Sequence, residues 1–290
     1  MANSLREVKT RIDSTKSTSQ ITKAMYMVSQ SKVKRAERTY KNYQSFMENI
    51  ASMTKSIVAK AGSDYTHPLM SDRPIKNICY LLITSDKGLA GAYNANVFKA
   101  LEAELSNNGL SLDNVKVSAV GRRGYSYIKR KGYNTFNDKP VLVRDDVMFN
   151  DIVPLAEGII KDYIDKKIDK LVIIYNNYVN TLTQETRQIQ LLPIKEINGE
   201  INPVDYEYES GISRTLDMML PQYIEDIIYG VILDAKTSEH AARMNAMRSA
   251  TDNADQVIGK LQLLYNRARQ NVITNELIDI IGGANAIGGE

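Results

Sequence analysis

The chain has 290 residues, 43% hydrophobic and 24% charged, with a net charge of +3: enough for one or two domains with a buried core, in the balance of a soluble folded protein. It contains no apolar run of the roughly 20 residues that a membrane helix needs, and its start, with Glu7 and no apolar core, argues against an export signal or an organelle transit peptide. A single cysteine, Cys79, excludes an intrachain disulfide and a multi-cysteine zinc site; the two histidines, His67 and His240, lie far apart, so no metal or other cofactor is expected.

The charge is unevenly spread. Residues 1–60 hold 12 Lys/Arg against 4 Asp/Glu, whereas residues 210–290 hold 7 against 10. A basic and an acidic end can attract one another, and the excess on the first can meet an acidic partner. The helix breakers divide the chain in the same way. Residues 1–61 contain neither Gly nor Pro, and all 7 prolines fall between 68 and 221.

Residues 5–57 read as heptads. The a positions are Leu5, Ile12, Ser19, Tyr26, Val33, Tyr40, Met47 and Thr54; the d positions are Val8, Thr15, Thr22, Ser29, Ala36, Tyr43, Ile50 and Ile57. The seam is apolar at both ends and small and polar in its middle. Such a helix extends roughly 80 Å at 1.5 Å per residue and needs a partner along its length. Opposite the polar part of the seam, Ile21, Met25 and Val28 form an apolar ridge on another face. Apolar groups turned away from the partner helix point to a second partner, and methionine suits a contact that slides or repacks.

The middle of the chain alternates. Ile78–Thr84 is an apolar strand leading into Gly88-x-x-Gly91 and a helical pattern. Val115–Val120 is a second strand, followed by Gly121-Arg122-Arg123-Gly124 and a second helical stretch. Leu155–Ile164 is helical, Lys170–Tyr175 is a third strand, and Thr186–Leu192 an antiparallel edge strand. Strands alternating with helices predict a mostly parallel sheet, a Rossmann-like α/β domain.

A strand, a Gly88-x-x-Gly91 turn and a helix are where a phosphate cradle would sit. The third glycine of a dinucleotide fingerprint and the Gly-Lys-Ser/Thr of a Walker loop are both missing, so strand–turn–helix geometry accounts for these glycines. Arg122 and Arg123 read as a surface turn rather than an anion site. Asp145, Asp146 and Asp151 read as a solvated loop, and Cys79 as a small hydrophobe within a strand. No nucleophile, base and orienting group occur together, which argues against an enzyme. The lysines and arginines of the first helix are dispersed from Arg6 to Lys60 among Ser, Thr and Met, unlike a basic region that reads nucleic acid.

The second breaker-poor segment begins near Ser213. Leu220, Ile224, Ile227 and Val231 form one stripe; Met247, Ala250, Ala254, Val257, Leu261, Leu264 and Ala268 form another, with Ser238, Ala241 and Met244 interrupting the heptad between them. Pro221 reads as a first-turn proline or a kink. The expected architecture is a shaft helix over 1–60, a Rossmann-like α/β domain over 75–205 and a second shaft helix over 210–290. The two helices pair as an antiparallel coiled coil, the second overrunning the first by a dozen or two residues, so that something outside the chain encloses its tip.

Ile21-Thr22-Lys23-Ala24-Met25-x-Met27-Val28 resembles the N-terminal helix motif of the gamma subunits of F-type ATP synthases. Gly88-Leu89-x-Gly91-x-x-Asn94 continues the match, as do Glu239–Met244, Met247–Ala254 and Leu261–Gln270. Ile273-Thr274-x-Glu276-x-x-Asp279-x-x-x-Gly283-Ala284-x-Ala286 resembles the family's C-terminal signature. The resemblance spans the chain and is most specific at its two ends. The cysteine-bearing insertion of the chloroplast form is absent, and the missing transit peptide favours the bacterial type over a mature organellar one.

This resemblance implies a non-catalytic central rotor shaft, one copy in a ring of three alpha and three beta subunits. The globular part would join the epsilon subunit and the membrane c-ring, and the whole would be peripheral at the cytoplasmic face of the cell membrane. Lys23, Met25 and Val28 on the first helix would face the ring. So would Arg243, Gln262, Arg269, Gln270, Thr274 and Glu276 on the second, the polar ones as catch or bearing contacts. The rival readings are a coiled-coil scaffold with an α/β head and, less favoured, a nucleotide-binding enzyme using the Gly88–Gly91 turn.

Overall fold

The structure is a computed structural model that describes residues 2–62, 65–108, 112–135, 139–197, 199–201, 207–208 and 211–287. In chain order the elements are α1 (Ala2–Ala61), β1 (Ile78–Ile83), α2 (Tyr93–Asn108), β2 (Val115–Val120), α3 (Arg122–Lys131), α4 (Phe149–Ile164), β3 (Lys170–Tyr178), β4 (Gln184–Leu192) and α5 (Ile212–Ile287). The chain forms two compact units, one of residues 29–243 and one built from the residues up to 28 together with those from 244 onward.

In the larger unit the strand order is β2-β1-β3-β4. β1 pairs in parallel with both β2 and β3, and β4 closes one edge antiparallel to β3. All six residues of β1 are buried, as expected of a parallel strand covered on both faces. Its side chains alternate between two cores. Cys79, Leu81 and Ile83 join Ile152, Ala156 and Ile159 of α4, Leu220, Ile224 and Ile228 of α5 and Ile57 of α1. Ile78, Tyr80 and Leu82 join Val97 and Leu101 of α2 and Ile128 of α3. Each such fully buried aliphatic side chain contributes about 1.5–3 kcal/mol. Both shaft helices therefore continue into the head as walls of its core.

The breakers act where the pattern places them. Gly62, at φ 78°, follows the last residue of α1 in the left-handed conformation that ends a helix. Gly121, at φ 96°, caps α3, and a Cβ on it would lie 2.2 Å from the Thr84 carbonyl oxygen. Of the two readings of Pro221, the first-turn one does not hold: it lies inside α5, past the first turn.

The smaller unit is an antiparallel helix pair. The Ser19 hydroxyl donates to Asp255 at 2.8 Å, and the Thr22 and Thr251 hydroxyls meet at 2.8 Å. In this register the start of α1 lies opposite about residue 270, at one residue per step on each helix. α5 has 76 residues against the 60 of α1, in keeping with the expected overrun.

Candidate partner-binding surface

Every a and d position of α1 from Leu5 to Ile57 is buried or half-buried. The heptad read from the sequence is thus the packing seam. Its polar middle is satisfied across the helix pair: one of the Thr22 and Thr251 hydroxyls donates to the other, which in turn donates to its local carbonyl, that of Ser19 or of Met247. A hydroxyl bonded in this way costs little to bury.

On α5 the second stripe is shifted in part. Met247, Ala254, Leu261 and Ala268 lie on the seam as expected, and Ala250 is half-buried. Val257 and Leu264, however, are 45% and 52% exposed. The seam runs instead through Thr251, Ile258, Tyr265, Val272 and Asn275, each half-buried. Spacing alternates strictly between four and three residues, which keeps one face of the helix on its partner.

The outward ridge on α1 also changes in one member. Ile21 and Val28 are 61% and 56% exposed, but Met25 is half-buried and Met27, at 55%, takes its place. Lys23 is exposed. On α5, Gln262, Arg269, Gln270, Thr274 and Glu276 are exposed, Thr274 bonding its hydroxyl back to the Gln270 carbonyl. Beyond Asn275 all described side chains are exposed, among them Leu277, Ile278, Ile280 and Ile281.

Arg243 departs from its neighbours in that set. It is 9% exposed and spends its guanidinium inside the larger unit, on Glu239 at 2.7 Å and on the carbonyls of Lys87 and Gly88 at 3.3 and 3.4 Å. Glu239 also receives Lys236 at 3.0 Å. Burial works to raise the Glu239 pKa, but Lys236 and Arg243 outweigh it and hold the carboxyl ionised. Burial drives the His240 pKa down to about 4 against the pull of Glu239 and Asp145. The neutral ring is placed to donate from Nε2 to Asp145 at 3.2 Å and to accept at Nδ1 from Arg243 at 3.4 Å.

Asp145 is thereby more than the solvated loop residue its sequence context suggests. It bridges His240 of α5 and Lys32 of α1, the latter at 2.5 Å. Asp151 accepts from the Met148 amide at the start of α4. The partners of this cluster lie too far apart in sequence to be paired by inspection. The one sequence signal is four ionisable residues, Lys236, Glu239, His240 and Arg243, within eight residues of α5.

The strand–turn–helix corner is closed by the chain's own groups. At the start of α3 the amides of Arg122, Arg123 and Gly124 donate to the Asp86 carboxylate, the Ser85 carbonyl and the Thr84 hydroxyl. At the end of β1 the Ser85 amide donates to Asn94. The first amides of α3 are thus occupied, and in the turn before α2 the Gly88 carbonyl accepts from Arg243. Arg122 and Arg123 are exposed, as a surface turn requires. Among the described residues no group of acids, histidines and cysteine is arranged to hold a metal ion.

A family model described as ATP synthase matches residues 4–287. Among solved structures, the chain resembles one from the Euglena gracilis mitochondrial ATP synthase (OSCP, F1 and c-ring, rotational state 3), with TM-score 0.68 and 16% identity over 100% of this chain and 96% of that one. The rotor of the same assembly gives TM-score 0.62 and 16% identity, covering 94% and 100%. A chain from the central stalk and c-ring of the Tetrahymena thermophila mitochondrial ATP synthase gives 0.60 and 23%, covering 79% and 99%. Two long terminal helices and a four-stranded α/β unit are the fold that this chain shares with them. The chain belongs to the gamma-subunit family of the F-type ATP synthases, whose members are non-catalytic.

Proposed function

We propose that this chain is the central rotor shaft of an F-type ATP synthase, carrying rotation from a membrane c-ring to the catalytic sites of an alpha/beta ring, with epsilon as its neighbour on the rotor. The observation that carries this reading is the surface of the helix pair. Its seam is already filled, yet Ile21, Met27, Val28 and the run Leu277, Ile278, Ile280 and Ile281 remain exposed. Exposed apolar side chains at that density mark a binding surface. Apolar contacts are non-directional, so such a surface meets an enclosing sleeve with a shallow rotational profile.

The residues we propose to face the ring are Lys23, Met25, Val28, Gln262, Arg269, Gln270, Thr274 and Glu276. Arg243 adjoins them in sequence, but its guanidinium is committed to its own chain. The polar members act as transient catches, since an exposed ion pair stabilises by only about 0–1 kcal/mol and releases readily. One shaft inside a threefold ring touches its three catalytic sites differently and biases each conformational equilibrium by a different amount. Driving a site fully from one state to the other takes about 5.5 kcal/mol of differential contact.

No helix among the described residues is long and apolar enough to cross a membrane; the other subunits would hold the chain there. We propose the cytoplasmic face of a cell membrane, and fractionation of the source cells with an antibody to the chain tests this against an organelle membrane. The function itself is tested by purifying the native complex. One copy of the chain with three copies each of two larger ATPase subunits is expected. A free homodimer that binds no ATPase ring would overturn the reading.

A further inference from the structure

We propose that the buried ion network around Glu239 is a torque key, which fixes α5, and through Asp145 α1, to the α/β head so that rotation of the head is delivered to the helices without slip. The proposal rests on the rotor function above and assigns a mechanical role to residues of the head.

The argument begins with what the network costs. From Ile228 to Ala241, α5 is buried on every side. Within and just beyond that stretch Lys236, Glu239, His240 and Arg243 are 7%, 3%, 2% and 9% exposed. Apolar residues of similar volume would seat a helix there at least as well, because desolvating charges offsets much of their attraction. What apolar packing does not supply is direction. Its attraction is non-directional, so that the angle of the helix about its own axis is held only by the shape of its neighbours. Hydrogen-bonded ion pairs are directional and short, and they fix both that angle and the axial position.

The network's reach matches this role. Arg243 extends from α5 to the Lys87 and Gly88 carbonyls of the β1–α2 turn. The next residue in that turn, Leu89, has φ 61°, a conformation that favours glycine and that a surrounding structure must impose. About two turns back along α5, the Tyr93 hydroxyl at the start of α2 donates to the Ala235 carbonyl at 2.9 Å. Asn176 of β3 donates in turn to the Tyr93 carbonyl at 2.7 Å. From the other side Asp145 holds His240 and hands on to Lys32 of α1. The head thus grips α5 between 235 and 243 from separate loops, and one grip passes to the other helix. Both oxygens of Glu239 are used, one by Lys236 and the other by Arg243.

The test uses the whole ATP synthase in inverted membrane vesicles, with ATP hydrolysis and protons pumped per ATP measured on the same preparation. Arg243→Gln and Glu239→Gln should leave hydrolysis near the parent rate and lower the pumping ratio several-fold. Arg243→Lys, which keeps the charge but loses the fork, should fall between them and the parent. Tyr93→Phe should lower the ratio slightly. Lys131→Gln, which removes an exposed pair with Glu102 on the far face of the head, should change nothing. Parent pumping ratios in assembled Arg243→Gln and Glu239→Gln complexes would overturn the key. Should neither assemble, Arg243→Lys and Tyr93→Phe decide, and parent ratios in both would overturn it equally. If the unmodified chain is not recovered with ATPase subunits at all, it is the rotor reading that fails.

Discussion

Gly121 shows how little freedom the head leaves at its corner. Its φ of 96° is one that other residues rarely adopt, and a Cβ would press on the Thr84 carbonyl oxygen at 2.2 Å, backbone that has no rotamer to yield. Gly124, three residues on, packs against the Thr84 and Ala119 side chains, which a Cβ would meet at 2.6 and 2.7 Å. The sequence Gly121-Arg122-Arg123-Gly124 is therefore a packing motif, and its arginines are incidental to it. Gly121→Ala should cost about 2–4 kcal/mol, the sum of backbone strain and the forced displacement. Urea unfolding of the purified chain measures it; a loss under about 1 kcal/mol would mean that the corner relaxes. Asp234 gives a second test at this scale. It is 2% exposed and lines a cavity of about 320 Å³ with Tyr40, Tyr43, Tyr175 and Tyr223. Burial raises its pKa to about 6 from the ordinary 3.8, and the Tyr178 amide, Arg187 and Tyr175 offset only part of that. Because the folded chain favours the protonated acid, its stabilisation is full below about pH 4 and is lost as pH rises through 6. The loss amounts to roughly 3 kcal/mol at 1.36 kcal/mol per unit. Asp234→Asn should flatten this part of the pH–stability curve; an unchanged slope between pH 4 and 7 would assign it to other groups.

The long helices show where periodicity suffices and where it does not. On α1 the heptad is legible because the a and d positions hold one phase from Leu5 to Ile57, with small polar Ser19, Thr22 and Ser29 keeping it through the middle. On α5 the apolar residues after Met247 occupy two faces. A pattern that counts only hydrophobicity selects Val257 and Leu264, whereas the phase is set by Thr251, which pairs with Thr22, and passes to Ile258 and Tyr265. A polar residue at a seam position is invisible to a hydrophobic pattern until its partner is known. The assignment can be tested directly. Ile258→Asp places a charge on the half-buried seam and should destabilise the helix pair by about 2 kcal/mol, whereas Val257→Asp should stay within about 0.5 kcal/mol. The reverse order, read from chemical unfolding of the two variants, would restore the other phase. The head was legible for a related reason: β1, β2 and β3 each contain a short apolar run, and the helical patterns fall between them. Its ion network was not, since Lys32, Asp145 and His240 meet only in three dimensions.

For the molecule as a whole, the exposed end of α5 is the test of the rotor reading. Removing residues from 274 onward deletes Thr274, Glu276 and the apolar run that follows, none of which the head uses. The truncated chain should keep the far-ultraviolet spectrum and unfolding transition of its head while assembly or coupling in the complex weakens. Coupling equal to that of the parent would remove the end of α5 from the bearing. The pairing of the two helices also bears on how the chain is made. Ser19 and Asp255, which meet across the seam, are separated by 236 residues. Contacts so distant in sequence form late, after the loop between them has closed. During synthesis the first helix is complete long before its partner exists, and the intervening head, once folded, becomes the hairpin turn that brings the last helix back. Until translation ends, the basic first helix has an apolar seam and no mate.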